Sequence, residues 1–171
     1  MSESIPAHDA VFSCRRCGEC CRGRGGIVLR ESDSERMAAF FGLSSVAFHE
    51  RYAEKTRGKY RLRAGADGFC VFSLGNGLCA VHAARPDICR AWPFFRGNLV
   101  DPVSLAMAEK GCPGITEGVA FREFAGVGAR YLLDNGIFSE AGEEGTPSAL
   151  VGEEMLRQLT AARDAAEREA Q

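Results

Sequence analysis

Residues 14–21 read CRRCGECC and place four cysteines, Cys14, Cys17, Cys20 and Cys21, within one short run. A C-x-x-C step lets two thiolates converge on one metal ion or cluster while the intervening backbone N–H groups turn toward the sulfurs. Two such steps, closed by an adjacent cysteine, favour metal ligands over buried free thiols. Consecutive α-carbons lie about 3.8 Å apart with diverging side chains. We therefore expect Cys20 and Cys21 to face two different sites, or only one of them to be a ligand.

Four further cysteines, Cys70, Cys79, Cys89 and Cys112, bring the total to 8 among 171 residues. A framework of four disulfides would need an oxidising compartment. The first residues, MSESIPAHDAVFSC, show neither the basic start nor the apolar stretch of a secretion signal. We therefore expect a cytoplasmic protein whose eight thiols are metal ligands.

The size and charge of the chain exclude several classes of function. A mass of 18.4 kDa suits one domain, or one domain with an appended helix. A net charge of -2 supplies no overall positive field to hold a polyanion, which disfavours nucleic acid as a partner. Apolar runs are too short for a membrane span. We expect a protein or redox partner, and the oligomeric state stays open.

The predicted fold class is α+β: a small, irregular, metal-organised domain with several helices, a short β-hairpin and a C-terminal helix. We place the domain at residues 12–136, an acidic linker at 137–148 and the C-terminal amphipathic helix at 149–171. The intramolecular docking of that helix is favoured over docking on a partner.

Capping and turn residues predict the individual elements. Ser32 with Glu35 forms a capping box for a helix that ends near Phe41. Asn76 and Gly77 predict the hairpin turn between residues 69–73 and 78–81. Ser44 or Ser45 is expected to cap a helix that runs to about Lys55, and Pro86 to lie near the start of a short helix that ends at Trp92. Other predicted segments are a loose lead-in at 1–13, a helix at 117–135, and extended chain at 27–29, 59–63 and 99–108.

Four motifs follow one another along the chain: C-x-x-C-x-x-C-C at 14–21, C-x8-C at 70–79, RPDICRAWPF at 85–94 and CPG at 112–114. This combination resembles the YkgJ-like cysteine-cluster family of zinc- or iron-chelating domains, a version of which also occurs in flagellin lysine N-methylases. The resemblance covers roughly residues 12–115. It implies a metal-bearing domain, most often labelled an iron–sulfur protein, with all eight cysteines at the family's cysteine positions. It implies no known reaction for the stand-alone members.

His82 stands where many relatives carry tyrosine. We interpret it as a hairpin-edge residue rather than as a spare ligand.

Thiolate ligands suit zinc, Cu(I) and iron–sulfur clusters. The spacing of Cys70, Cys79, Cys89 and Cys112 is unlike the paired C-x-x-C knuckles of zinc ribbons. A run of closely spaced cysteines followed by a distant Cys-Pro pair is more typical of iron–sulfur ligation, although the bacterial ferredoxin spacing is absent. Arginines near the cysteines in sequence suit a buried anionic centre without distinguishing iron from zinc: Arg15, Arg16, Arg22, Arg24, Arg85, Arg90 and Arg96.

Our first hypothesis is an iron–sulfur protein with one [4Fe–4S] cluster, acting in electron transfer or as an accessory to a modifying enzyme. The alternative is an all-cysteine zinc site that staples a protein-interaction domain. A metal-handling protein that passes zinc or copper to clients is the third hypothesis.

Catalytic residues cannot be assigned from the sequence, and the enzyme question stays open. Glu19 is the best-placed candidate for a general base beside a metal, but we favour a solvated loop carboxylate. The chain carries no phosphate-binding loop, dinucleotide fingerprint or hydrolase motif.

Overall fold

The computed structural model describes residues 7–22, 26–139 and 149–170, which divide into two compact units. The cysteine-rich unit comprises described residues 16–22 and 26–92, and the helical unit comprises 7–15, 93–139 and 149–170. The predicted α+β class is confirmed, since the described residues form seven α-helices and a two-stranded antiparallel sheet. None of the helices in these ranges is long and apolar enough to cross a membrane.

The cysteine-rich unit contains three helices and the sheet. These are α1 (Glu31–Phe40), α2 (Ser45–Tyr52), β1 (Ala53–Thr56), β2 (Lys59–Leu62) and α3 (Asp87–Ala91). In the sheet, Ala53 lies opposite Leu62 and Thr56 opposite Lys59. The predicted short helix near Pro86 and the predicted strand near Lys59 are both present.

The position of the β-hairpin differs from the prediction. It joins β1 to β2, whereas residues 69–81 form only isolated bridges, such as Ser73 with Cys79. Arg57 and Gly58 both have positive φ, 51° and 79°, which is the backbone of a tight hairpin turn. An arginine seldom adopts that conformation, so Gly58 is the local signal of this turn. The predicted helix that runs to about Lys55 includes most of β1.

The cysteine-rich unit has a hydrophobic core that contains none of the cysteines of residues 14–21. Its buried side chains are Leu29, Met37, Ala38, Phe48, Ala53, Leu62, Phe72 and Val81. The ring of Phe41 stacks on Tyr52 and Phe72 at centroid distances of 5.0 and 5.6 Å. The regular part of this unit is therefore held by apolar packing.

The N-terminal cap of α1 differs from the predicted capping box of Ser32 and Glu35. The helix begins at Glu31, and the backbone N–H of Arg30 donates to the carboxylate of Asp33 at 3.1 Å. Ser32 and Glu35 lie inside the helix instead. The cap of α2 agrees with its prediction, because the Ser44 hydroxyl accepts from the Ala47 N–H at 3.2 Å.

The helical unit contains α4 (Arg96–Val100), α5 (Pro102–Gly111), α6 (Phe121–Asp134) and α7 (Glu153–Glu169). The prediction of extended chain at 99–108 is wrong. The carboxylate of Asp101 accepts from the N–H groups of Val103 and Ser104, both at 3.1 Å, and Pro102 occupies the first helical position. This Asp-Pro start is a strong helix signal.

The C-terminal helix α7 packs on α6. Gly126 lies against the side-chain stem of Arg163, whose guanidinium donates to Glu123 at 2.9 Å. The intramolecular docking predicted for this helix is present. Residues 140–148 of the predicted acidic linker lie outside the described residues.

The segment before Cys14 is not a loose lead-in where it is described. Residues Ala7–Ala10 form a 3-10 turn, and Val11 is buried. Ser13 donates its N–H to the Gly114 carbonyl at 2.8 Å. Because Val11 is apolar and its backbone is paired, this segment belongs to the helical unit.

Candidate metal centre

The eight predicted ligands are divided between the two units. Cys17, Cys20, Cys21, Cys70, Cys79 and Cys89 belong to the cysteine-rich unit, and Cys14 and Cys112 belong to the helical unit. Cys14, Cys17 and Cys20 are exposed, Cys112 is buried, and the other four are half-buried.

The first cysteine run is attached to Cys70 through the backbone. Gly18, in the left-handed conformation with φ 82°, precedes the 3-10 turn Glu19–Cys21. The Cys21 N–H donates to the Gly18 carbonyl at 2.9 Å, and the Cys70 N–H donates to the Cys21 carbonyl at 2.9 Å. These bonds bring Cys70 beside a run of chain about fifty positions earlier in the sequence.

A second attachment joins the first run to the loop between Cys70 and Cys79. Gly77 has φ 80°, and a β-carbon there would overlap the carbonyl of Arg16. A β-carbon on Gly18 would lie 3.2 Å from the α-carbon of Gly77. The close approach of the two backbones therefore requires glycine at position 77.

Cys89 lies in the middle of α3. Its N–H donates to the Pro86 carbonyl at 2.9 Å. Because α3 is short, the position of the Cys89 sulfur depends on what holds the helix N-terminus.

The pKa values of four thiols, Cys20, Cys21, Cys70 and Cys89, are shifted. The Cys20 thiol donates a hydrogen bond to Cys21, which raises the pKa of Cys20 and lowers the pKa of Cys21. Burial opposes that lowering of the Cys21 pKa, and the charges of Cys89, Cys70 and Cys79 add to the opposition. Burial raises the pKa of Cys89, with Cys70, Cys20 and Cys79 adding to it.

The prediction that Cys20 and Cys21 face two different sites, or that only one of them is a ligand, stays a prediction. Their thiols interact, since Cys21 raises the pKa of Cys20.

Two groups favour the thiolate form at this centre. The pKa values of Cys20 and Cys89 are both raised, that of Cys20 chiefly by its hydrogen bond to Cys21 and that of Cys89 chiefly by burial. The positive charge of Arg85 acts in the opposite direction and favours both thiolates. Burial raises the pKa of Cys70, while a hydrogen bond from the backbone of Phe72 lowers it. Backbone N–H groups directed at sulfur are typical of thiolate metal sites.

The other predicted arginines have varied surroundings. Arg90 pairs with Asp87 at 3.1 Å, and Arg22 lies over the Phe69 ring. Arg15 and Arg96 belong to the helical unit, and Arg24 is outside the described residues.

His82 and Glu19 lie on surface turns. Arg85 donates to the Nε2 atom of His82 at 2.8 Å, so that nitrogen accepts and the ring is neutral. Glu19 is exposed, with a carboxylate oxygen 3.8 Å from Arg22.

The side chains at this centre are cysteine thiols, whose thiolates are the ligands that thiophilic metals prefer. Within the described ranges, no three His, Cys, Asp or Glu side chains have converged to hold an ion. Nevertheless, a backbone hydrogen bond joins the segments of Cys21 and Cys70, and the charges of Cys70, Cys79 and Cys89 act on the pKa of Cys21. A backbone N–H beside Cys70 and the charge of Arg85 beside Cys89 favour thiolates there. These residues fit zinc, Cu(I) or an iron–sulfur cluster, which take such ligands.

Sequence reasoning missed two buried carboxylates. Asp33 is 0% exposed and Asp87 is 6% exposed, and Asp33 accepts the backbone N–H of Asp87 at 2.9 Å. The available signal was an aspartate two residues before Cys89 within the motif RPDICR.

Comparison with known proteins gives one family. Residues 13–113 match the family model described as "CxxCxxCC: Putative zinc- or iron-chelating domain". The match covers more than half of the chain, and the protein belongs to this family. No solved structure matches the chain. The family places this chain among zinc- or iron-chelating cysteine domains.

Proposed function

We propose that the protein holds a [4Fe–4S] cluster through the thiolates of Cys21, Cys70, Cys79 and Cys89. Its role is electron transfer, or service as an accessory to a modifying enzyme, with a protein redox partner. The observation that carries the proposal is the backbone hydrogen bond from the Cys70 N–H to the Cys21 carbonyl at 2.9 Å, which joins the two cysteine segments. The effect of Cys70, Cys79 and Cys89 on the pKa of Cys21 supports the same grouping. We propose the cytoplasm as its compartment, because thiols stay reduced there.

The internal packing of the cysteine-rich unit supports a role for the metal beyond stapling. Domains that need structural zinc usually lack a sufficient core. Here Met37 and Phe48 are each 0% exposed within a cluster of buried apolar side chains. A metal centre in this unit is therefore available for chemistry.

Exposure of the centre supports electron transfer. The four proposed ligands are half-buried, and Cys20 beside them is exposed. Val71, Leu74 and Leu78, in the loop between two ligands, are exposed apolar side chains. A bound cluster would supply one-electron chemistry at a potential set by hydrogen bonds to sulfur and by solvent exposure.

Zinc is the alternative metal. A zinc-bound protein would act as an interaction or metal-handling domain without redox chemistry. The test is to purify untagged protein without oxygen and to measure iron, zinc and acid-labile sulfide per chain with the visible spectrum. We expect absorption near about 400 nm and roughly four iron and four sulfide per chain. A colourless protein with zinc and no sulfide would contradict the cluster and leave the zinc domain.

A further inference from the structure

Two buried carboxylates lie next to α3, the helix that carries Cys89. Asp33 of α1 is fully buried, and the side chain of Asp87 is 9% exposed. Burial raises the pKa of Asp33, and the nearby charge of Asp87 raises it further. Two buried carboxylates side by side are costly unless cations and hydrogen bonds compensate them. The surrounding groups supply that compensation.

One carboxylate caps two helices. An oxygen of Asp33 accepts the N–H of Arg30 at the start of α1, at 3.1 Å. The other oxygen accepts the N–H of Asp87, the first residue of α3, at 2.9 Å. First-turn N–H groups have no partner within their own helix. Asp33 therefore supplies the N-terminal cap of a helix distant in sequence.

Arg36 completes the connection. Its guanidinium donates to Asp33, to the carboxylate of Asp87 at 3.0 Å and to the backbone carbonyl of Arg85 at 3.2 Å. Arg30 and Arg90 also pair with Asp87, at 3.4 and 3.1 Å. The carboxylate network thus holds the chain on both sides of Pro86.

This network controls where Cys89 lies. The helix α3 has only 5 residues, too few to be stable without tertiary contacts. Cys89 is two positions after Asp87, whose N–H and carboxylate are both held. Movement of the helix N-terminus would displace the Cys89 sulfur from the other thiols.

We propose that Asp33 and Arg36 are positioning residues for the metal centre, which hold Cys89 in its ligand position through Asp87 without touching the metal. This inference rests on the proposed function, because Cys89 is one of the four proposed ligands. Groups that orient first-layer ligands commonly change metal affinity by about 10- to 100-fold when they are replaced.

The primary test replaces Asp33 by asparagine. The asparagine amide has only one acceptor oxygen, so its two polar atoms cannot accept the N–H groups of both Arg30 and Asp87. It is also neutral and no longer compensates the positive charge of Arg36. The matched control is Ser44→Ala, which removes the cap of α2 in the same unit but touches no cysteine-bearing helix. The measurement is release of bound metal to excess EDTA, beside the melting temperature of each variant.

We expect Asp33→Asn to release metal about 10- to 100-fold faster than wild type. Ser44→Ala should keep the wild-type rate and lose less melting temperature, because its cap is exposed. Equal release rates from the two variants would overturn the proposal. If Asp33→Asn does not fold, Arg36→Lys provides the test. One terminal nitrogen of Arg36 makes all three contacts, and a lysine side chain, which is one bond shorter, does not reach that position. The Arg36 side chain is 34% exposed.

A second measurement separates this inference from the proposed function. In metal-free protein, alkylation of Cys89 is followed by peptide mapping. We expect Arg36→Lys to accelerate it about tenfold relative to Ser44→Ala, and equal rates would refute the positioning role. Absence of metal from wild-type protein would instead refute the proposed function. The alkylation rates of Cys89 would still decide whether Arg36 positions this cysteine.

Discussion

In α6 and α7, the packed side chains recur at helical spacing, as with Phe124 and Leu132 on α6 and Leu156 and Thr160 on α7. In the cysteine loops, the decisive contacts join backbones that are distant in sequence, as at Cys21 with Cys70 and Arg16 with Gly77. The helix pair depends on side-chain volume, whereas the loops depend on hydrogen bonds, left-handed glycines and buried ion pairs. Substitutions should therefore affect the two regions through different measurable properties.

The largest effect should follow the loss of a central thiolate. We expect Cys89→Ser to abolish metal binding and to lower the melting temperature, because metal-binding free energy contributes to folding. Metal content by elemental analysis and thermal unfolding check this. Ser44→Ala, which removes the cap of α2 in the same unit and replaces no cysteine, should retain the metal. Equal metal loss in both variants would contradict the proposed ligand set.

A truncation in the helix pair should reduce stability without changing the metal. Leu156 is 0% exposed, and Leu156→Ala should cost about 2–5 kcal/mol through lost burial and a residual cavity. Urea unfolding measures this change. Gln158→Ala, at an exposed position of α7, should cost less than about 0.5 kcal/mol. Loss of metal from folded Leu156→Ala protein would contradict the expectation that substitutions in the helix pair leave metal binding unchanged.

Gly77→Ala tests the backbone contact of the cysteine loops. The new methyl group would overlap the Arg16 carbonyl at a residue with positive φ, and we expect a cost of about 1–3 kcal/mol from overpacking in addition to left-handed strain. Gly75→Ala is the matched control, since Gly75 has φ 77° but nothing within 4 Å of its β-carbon position. Equal unfolding free energies for the two variants would show that the close approach contributes nothing.

The smallest predicted effect concerns pH. The Ser34 hydroxyl donates to the Arg30 carbonyl at 3.1 Å, so the Nε2 atom of His49 donates to that hydroxyl at 2.8 Å. Burial lowers the pKa of His49 below 6.5, and Lys55 adds to the lowering. Since folding disfavours the charged ring, this stability is present above pH 6.5 and is lost as the pH falls through the lowered value.

Melting temperatures at pH 7.5 and 5.5 should therefore differ by less in His49→Gln than in wild type. His82 shifts in the same direction because of burial and then Arg85 and Arg16, so His82→Gln serves as the comparison and should leave the His49 component intact. An unchanged pH dependence in His49→Gln would show that this ring is not a source of it.

The elements with local signals were predictable from the sequence. The periodic apolar residues of α6, the Ser44 cap and the Pro86 start of α3 are each specified by neighbours within a few positions. Helix α5 was predictable from Asp101 and Pro102, although the prediction of extended chain overlooked that signal.

The arrangement of the candidate site was not predictable in the same way. The cysteines and their metal chemistry follow from the spacing, but the grouping of Cys21 with Cys70, Cys79 and Cys89 depends on contacts between distant segments. Asp33 caps a helix 54 positions away, and no local pattern specifies such a partner. In the Arg57–Gly58 turn, positive φ suits the glycine but not the arginine, so residue preference specifies only one of the two turn positions.

The most direct test of the ligand assignment is differential labelling of the cysteines. Holoprotein is alkylated without oxygen, its metal is removed under denaturing conditions, and a second reagent labels the thiols that were protected. Peptide mapping should show that Cys21, Cys70, Cys79 and Cys89 react only after metal removal. The labelling of Cys14, Cys17, Cys20 and Cys112 tests whether these predicted ligands also bind the metal. Reaction of Cys70 or Cys89 in metal-loaded protein would contradict a centre built on these four thiolates.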